Sequence, residues 1–262
     1  MVTFPSGVSG FREKLTANRY YYVRADGNDA NDGLSDTAGG AFASLQKAFD
    51  IIGDLDTGIS TVSLFVRAGT YSGGVLKPPI GLGSFIIEGD RTTPSNVRVT
   101  NGSGNRGFWV QRPGSFEIRG FEFDTTSTNV DCGTALGVSI TVRDCLFAGG
   151  STGISIGQHN KASVVGTWSV TGVYGILFSA DRSYLSTWGS TITFGANAEV
   201  TTSYLYANSH ITALLSNTTW TGTLTGRRCL IGSNCVINTQ GAGDTSIPGS
   251  TASILGNYST LS

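Results

Sequence analysis

The sequence has little charge, a single methionine, two histidines and no apolar run long enough to span a membrane. Charged residues make up 13% of the chain, and the formal net charge is -1. No basic run is present that would attract nucleic acid or an anionic membrane, so we expect neither partner. The opening residues lack the charged-then-apolar order of a secretion signal. We therefore expect synthesis in the cytoplasm without a signal peptide.

Residues typical of metal and redox sites are also scarce. The acidic stretch from Asp26 to Gly33 lacks the ligand spacing of a calcium-binding EF-hand, so we interpret it as a structural turn. The histidines His159 and His210 fit no recognisable nucleophile arrangement, and we expect both at the surface. No metal and no cofactor is predicted. The cysteines lack the CxxC spacing of zinc sites and are expected to be small, reduced core or turn residues: Cys132, Cys145, Cys229 and Cys235.

Glycine, in contrast, is abundant, with 37 residues, and the chain repeats itself. From Gly107 to Gly249 we find six successive rungs, each with three short, apolar-alternating strands separated by Gly, Thr, Ser and Asn turns. The steps between equivalent segments lie between 21 and 27 residues. A period in the low twenties with three strands per period is typical of a parallel β-helix, in which each coil stacks on the one before.

This stacking predicts columns of like residues inside the coils. Three inward columns are expected. The first consists of Phe123, Phe147, Val170, Phe194, Trp220 and Ile247. The second consists of Phe121, Cys145, Trp168 and Ile192. The third consists of Ile118, Val142, Val164, Leu185, Ile211 and Val236. Residues between them should face outward, because side chains alternate along a strand.

The two ends of the repeat need covers, because an open coil exposes strand edges and core. The segment 44–53 predicts the only convincing helix, with Ser44 at its N-cap and Gly53 at its end. We expect this helix to plug the first coil. The predicted organisation is a loose arm at 1–19, a strand, turn and capping helix at 20–60, β-helix coils at 61–249, and a capping or oligomerisation tail at 250–262.

Few acidic residues are placed for catalysis. Glycosidases need two carboxylates flanking the scissile bond. The close pair here is Glu122 and Asp124, which are two residues apart and should share the outer face; Asp144 follows one coil later, beside Arg143. These three are candidate catalytic residues of a polysaccharide lyase or hydrolase. The alternative is that they are outward charges that keep the sheet soluble and discourage edge pairing.

Aromatic and polar residues at predicted outward positions give a second signal. Aromatic faces stack on sugar rings, and polar neighbours can hydrogen-bond hydroxyl groups. Long parallel faces would suit an extended polymer. Burial of these aromatics between subunits remains an alternative. The candidate glycan-binding residues are Trp109, Gln111, Tyr184, Trp188, Tyr204, Tyr206 and His210.

The opening of the chain adds a resemblance. YYVRADGNDANDGLSDTAGGAFASLQKAFDII followed by VSLFVRAGTYSG resembles the opening of the pectin-lyase-like right-handed β-helix superfamily. The version here, with TAGGAF before the helix, is similar to spike and fibre proteins of tailed phages, prophages and gene-transfer-agent particles. The ending SIPGSTASILGNY is similar to the closing segment of those proteins. The segments on both sides of the repeat are therefore similar to the corresponding segments of those proteins.

The resemblance implies a right-handed, all-β parallel β-helix, a handedness that parallel crossovers also prefer. It further implies a homotrimeric spike on a virion surface, next to other virion proteins. We expect such a spike to adhere to bacterial cell-surface polysaccharide, such as capsule. A polysaccharide depolymerase and a purely structural adaptor are the alternatives. The cluster of aspartates usual in lyases of this superfamily is missing from this sequence, which favours adhesion over cleavage.

Overall fold

The computed structural model describes residues 12–257 and 259–262, so residues 1–11 of the predicted arm lie outside the described residues. The chain forms a parallel β-solenoid of about eight turns, which confirms the predicted fold class. Strands are numbered β1 to β28 in chain order. Three long sheets form its walls, and one side of each sheet faces a shared apolar core.

The ten-strand sheet contains β2 (Arg19–Val23), β4 (Val62–Val66), β7 (Phe85–Glu88), β10 (Gly114–Arg119), β13 (Val138–Arg143), β16 (Lys161–Val165), β19 (Tyr184–Ser186), β22 (Thr212–Leu214), β26 (Val236–Asn238) and β28 (Thr260–Leu261). The seven-strand sheet contains β5 (Gly69–Ser72), β8 (Val97–Thr100), β11 (Glu122–Asp124), β14 (Leu146–Gly149), β17 (Thr167–Val170), β20 (Thr191–Phe194) and β23 (Thr219–Thr221).

The nine-strand sheet contains β6 (Gly74–Leu76), β9 (Phe108–Val110), β12 (Thr128–Cys132), β15 (Thr152–Ile156), β18 (Val173–Ala180), β21 (Glu199–Ser209), β24 (Thr225–Gly226), β25 (Cys229–Ser233) and β27 (Ile254–Leu255). The remaining elements are the pair β1 (Glu13–Lys14) and β3 (Leu55–Asp56), the helix α1 (Leu45–Gly53), and three 3-10 helices at Pro94–Asn96, Ser103–Asn105 and Asp244–Ser246. Over the described ranges, no helix has the length and apolarity needed to cross a membrane.

The helix α1 covers the first coil as predicted. The Ser44 side chain accepts a hydrogen bond from the Lys47 backbone N–H (3.2 Å) and caps the helix start. The Gln46 side chain makes the hydrogen bonds that a further strand would otherwise make to β6. Its amide oxygen accepts from the Val75 N–H (2.8 Å), and its amide nitrogen donates to the Val75 carbonyl (3.3 Å). The edge of the nine-strand sheet is thus satisfied by a side chain. Phe49 of the helix contacts Phe108 of β9 edge-to-face at 5.3 Å.

Part of the predicted loose arm is packed against this end. Leu15 is buried, and its backbone N–H bonds to the carbonyl of Asp56 (2.8 Å). The prediction of a loose segment is therefore wrong for these residues, because an apolar side chain in the arm covers part of the core. At the other end, β27 and β28 extend two sheets by one further strand each, leaving Ile254 and Leu255 half exposed.

The inward columns confirm the stacking but correct parts of the register. Phe123 pairs with Phe147, and Val170 joins Phe147 to Phe194. Trp220, however, is in register with Ile192. The segment near Ile247 forms a 3-10 helix and an extended residue instead of a strand, so the seven-strand sheet ends at β23.

The third predicted column slips at β19. Leu185 pairs with Ala162 and Ala213, so it does not follow Val164. A slip of two residues keeps a side chain on the same face, but a slip of one residue inverts it. The latter happens at β26, where Val236 is exposed and Ile237 is buried, so the predicted inward position of Val236 is wrong.

Candidate functional site

The outer wall of the ten-strand sheet carries two concave surfaces on consecutive coils. The first, about 280 Å³, involves Ile86 of β7, Glu117 and Arg119 of β10, and Thr141 of β13. The second, about 250 Å³, begins one strand further along, at Lys161 of β16. Because β13 pairs directly with β16, the two concavities follow each other along one wall.

Glu117 and Arg119, which line the first concavity, belong to a group of charged side chains of alternating sign. Arg119 joins Glu88 (3.2 Å) to Glu117 (2.8 Å), and Arg143 contacts the other oxygen of Glu117 (2.7 Å). Burial opposes ionisation of Glu117, but the hydrogen bonds from the two guanidinium groups outweigh it and lower its pKa. The group therefore contains two carboxylates matched by two arginines.

Basic side chains gather at the second concavity, which we call the basic corner: His159, Lys161, Arg182 and His210. The corner joins the nine-strand sheet to the ten-strand sheet. Its shape comes from the backbone: the Arg182 carbonyl accepts from the His159 N–H (2.6 Å), and the Arg182 N–H bonds to Ser209 of the next coil (2.7 Å). Asn160 fixes the loop from inside, with its side chain bound to three backbone groups of residues 132–138. The two histidines of the chain, 51 positions apart in sequence, thus line one cleft.

The predicted glycan-binding residues are divided between two walls. Tyr184 and His210 line the basic corner, and Trp188, 48% exposed, follows Tyr184 on the same coil. Trp109 and Tyr206 lie on the outer face of the nine-strand sheet. Gln111, which is exposed, directly follows β9 of that sheet.

Trp109 is already engaged on that second wall. The Arg106 guanidinium lies 4.6 Å from its ring centre, and its indole N–H donates to the Thr134 hydroxyl (3.2 Å). Arg106 is in turn paired with Asp131 (2.5 Å). This aromatic face is therefore covered by neighbouring side chains of the same protein.

The outward position predicted for Tyr204 is wrong. Its side chain is fully buried and contacts Phe178 (5.2 Å) and Trp220 (5.4 Å) edge-to-face. The cause is an irregularity in the pairing of β18 with β21. Tyr174 pairs with Val200 and Ile176 pairs with Ser203, so the step between paired residues is two in β18 and three in β21. An extra residue of this kind changes which side chains face inward. Tyr204 is a core residue and offers no surface to a ligand.

The predicted catalytic carboxylates are each bound to arginine. Arg98 bridges Glu122 (3.3 Å) and Asp124, so the structure does bring this pair together. Burial raises the pKa of Glu122, partly opposed by Arg98. Asp144 lies apart at a turn, where it pairs with Arg91 (2.7 Å) and accepts the Thr167 N–H (2.8 Å).

The acidic turn after β2 holds the first coil to the helix. Asp29 accepts hydrogen bonds from the backbone of Ala43 and Ser44 and from the Ser44 hydroxyl (2.9, 2.9 and 2.7 Å). Burial opposes ionisation of Asp29, but these hydrogen bonds lower its pKa. The interpretation as a structural turn is confirmed at this residue. In the part of the chain that the structure describes, no three His, Cys, Asp or Glu side chains group as metal ligands.

Sequence reasoning missed several residues of this wall. It did not select Glu88, Glu117, Lys161 or Arg182 as site residues. A signal was present for Arg182, since aligning the turns instead of the strands would have placed it directly between the two histidines. Compared with protein-family models, with curated proteins and with solved structures, the chain matches none. The resemblance of its opening and closing segments therefore stays a prediction.

Proposed function

We propose that the outer wall of the ten-strand sheet binds an extended polysaccharide and that the protein is the adhesive part of a virion spike or fibre. The observation that carries the binding proposal is the alignment of two concave surfaces on consecutive coils of one wall. A polymer running parallel to the solenoid axis would contact both. Tyr184 supplies an aromatic face for a sugar ring on this wall, and Trp188 supplies a second in the turn that follows β19.

The setting of this proposal is supported by the resemblance of the opening segment to spike and fibre proteins of phages and phage-like particles. In that setting the protein would be exposed on the virion surface, attached to other virion proteins, as a homotrimer. The polysaccharide would be a bacterial surface polymer such as capsule. Light scattering coupled to size-exclusion chromatography tests the trimer, and a monomer at micromolar concentration would contradict it.

Binding is tested by retention of the protein on capsulated bacterial cells compared with acapsular cells of the same strain, together with a glycan array. The double variant Tyr184→Ala/Trp188→Ala should bind at least about tenfold more weakly, which corresponds to about 1.4 kcal/mol. Tyr206→Ala is the matched control, because it removes an aromatic side chain from the nine-strand wall. Equal retention on both cell types would favour a purely structural role, and equal loss in the control would contradict the choice of wall.

A second candidate function is cleavage of the polysaccharide. The pairing of Glu122 and Asp124 through Arg98 is the observation that favours it, because glycosidases use two carboxyl groups that flank the scissile bond, and burial raises the pKa of Glu122. Incubation with a bound polymer should then release new reducing ends, and Glu122→Gln should abolish the release. If no new ends form with a polymer that the protein retains, the protein only binds.

A further inference from the structure

A column of left-handed backbone corners precedes the strands of the ten-strand sheet. Each corner residue lies two positions before an outward strand residue, and those strand residues are paired in register from coil to coil. The corner residues, with their φ angles, are Gly137 (70°), His159 (67°), Arg182 (44°), His210 (49°) and Asn234 (58°). The same backbone conformation is therefore built five times in succession.

The residue types in this column do not follow from the conformation alone. Glycine and asparagine, which occupy the two outer positions, are the residues that the left-handed region favours. Histidine is also enriched there among the other residue types, whereas an arginine such as Arg182 is uncommon. Between Gly137 and Asn234 the chain nevertheless places three consecutive side chains that carry or can carry positive charge. An unfavourable local conformation such as that of Arg182 is held by the surrounding structure, and such conformations are concentrated at functional sites.

The three side chains share one cleft with a fourth basic group. His159, Arg182 and His210 are exposed and line the basic corner together with Lys161. Arg182 pairs with Asp181 (3.4 Å), while Lys161 takes part in no ion pair among the described residues. Asp181 also accepts the Ser209 hydroxyl (2.8 Å). Among the described residues, Asp181 is the carboxylate that pairs with a group of the basic corner, and Lys161 and Arg182 alone outnumber it, so the corner has an excess of positive charge on a protein whose net charge is -1.

We propose that the basic corner binds the anionic substituents of an acidic polysaccharide, either carboxylate or sulfate. This inference rests on the proposed polysaccharide binding and names the class of polymer. Consecutive coils are about 4.8 Å apart, so the corners of His159 and His210 are separated by about 10 Å along the axis. Charges spaced along a polymer would meet successive corners, while Tyr184 contacts the neighbouring sugar ring.

A polysaccharide fits better than a nucleic acid. The basic column is limited to three coils and is continued by Asn234, whereas nucleic-acid binding depends on neutralising many phosphates. The adjoining first concavity carries no excess positive charge, because its arginines are matched by Glu88 and Glu117. A nucleic acid would gain little from the rest of this wall.

The test compares four immobilised polymers by biolayer interferometry: alginate, which carries carboxylates, dextran sulfate, neutral dextran of the same length, and double-stranded DNA. The variant His159→Asn/Arg182→Asn/His210→Asn replaces the three corner side chains by the residue that the next corner already has. We expect this variant to fold, with a circular dichroism spectrum like that of the unmodified protein. Its affinity for the acidic polysaccharide should fall at least about tenfold, and the affinity of the unmodified protein should fall steeply with added salt.

The outcomes separate the two proposals. Binding of alginate or dextran sulfate that the triple variant loses supports the inference, and the polymer preferred identifies the anion. Any of three results would overturn the inference. The triple variant could bind the acidic polymers as well as the unmodified protein does, neutral dextran could bind as tightly as dextran sulfate, or DNA could bind more tightly than either acidic polysaccharide. If the triple variant is retained on capsulated cells as well as the unmodified protein is, only the role of the basic corner is refuted, and the proposal of polysaccharide binding stands. Failure to bind any polymer or cell would refute both.

Discussion

The corner at Arg182 gives a stability prediction in which two substitutions differ by one methyl group. Its φ of 44° lies in the left-handed region, which is unfavourable by about 1–2 kcal/mol for a residue with a Cβ atom. Glycine avoids this strain but loses about 0.5–1 kcal/mol relative to alanine through its freedom in the unfolded chain. Both Arg182→Gly and Arg182→Ala remove the exposed ion pair with Asp181, so that contribution cancels. Arg182→Gly should therefore be more stable than Arg182→Ala by about 0.5–1 kcal/mol, the reverse of the usual order.

The assay is urea unfolding followed by circular dichroism. The two variants are compared with the same m value, the slope of the free energy of unfolding against urea concentration. Gly137→Ala is a control in the same column. A Cβ atom there would meet only the Pro113 side chain at 3.9 Å, so the cost is conformational and should also be about 0.5–1 kcal/mol. If Arg182→Ala proves the more stable variant while Gly137→Ala is destabilised, the corner at Arg182 is not strained, and the argument from residue type in the column fails.

Three further results are expected. Phe147→Ala should lower the free energy of unfolding in urea by about 3–5 kcal/mol, because the centre of this buried ring lies 5.7 Å from that of Phe123 and 4.8 Å from that of Trp168. A decrease below about 1 kcal/mol would contradict the inward column. The lowered pKa of Asp29 implies stability that is present above its unfolded pKa of about 3.9 and is lost as pH falls through the folded value. Because Asp29 is exposed and solvent screens its interactions, the difference in stability between the unmodified protein and Asp29→Asn should be about 0.5–1 kcal/mol at pH 7 and shrink below about pH 4, and a difference that does not change with pH would refute this. Burial raises the pKa of Cys145 to about 12, so this thiol should react with Ellman's reagent only after unfolding, and its rapid reaction in native protein would show that the coil opens.

Local sequence patterns were sufficient for the solenoid and its cover. Alternating apolar residues at a period in the low twenties predicted the coils, since a short strand can bury only one face and must stack on a copy of itself. The stripe of Leu45, Ala48, Phe49 and Ile52 predicted the helix α1, and all four residues are buried. These features depend on neighbours within one element, which the sequence displays directly.

Register and grouping were decided by the tertiary structure. Leu185 was correctly predicted to face inward but was given the wrong strand partner, and Val236 was assigned to the wrong face. The sequence could not reveal the irregular pairing that buries Tyr204. Nor did the alignment of strands bring His159 next to Arg182 and His210, because the predicted column slips at β19. Composition and period determine that this chain winds, but the backbone path between sheets determines which side chains share a cleft.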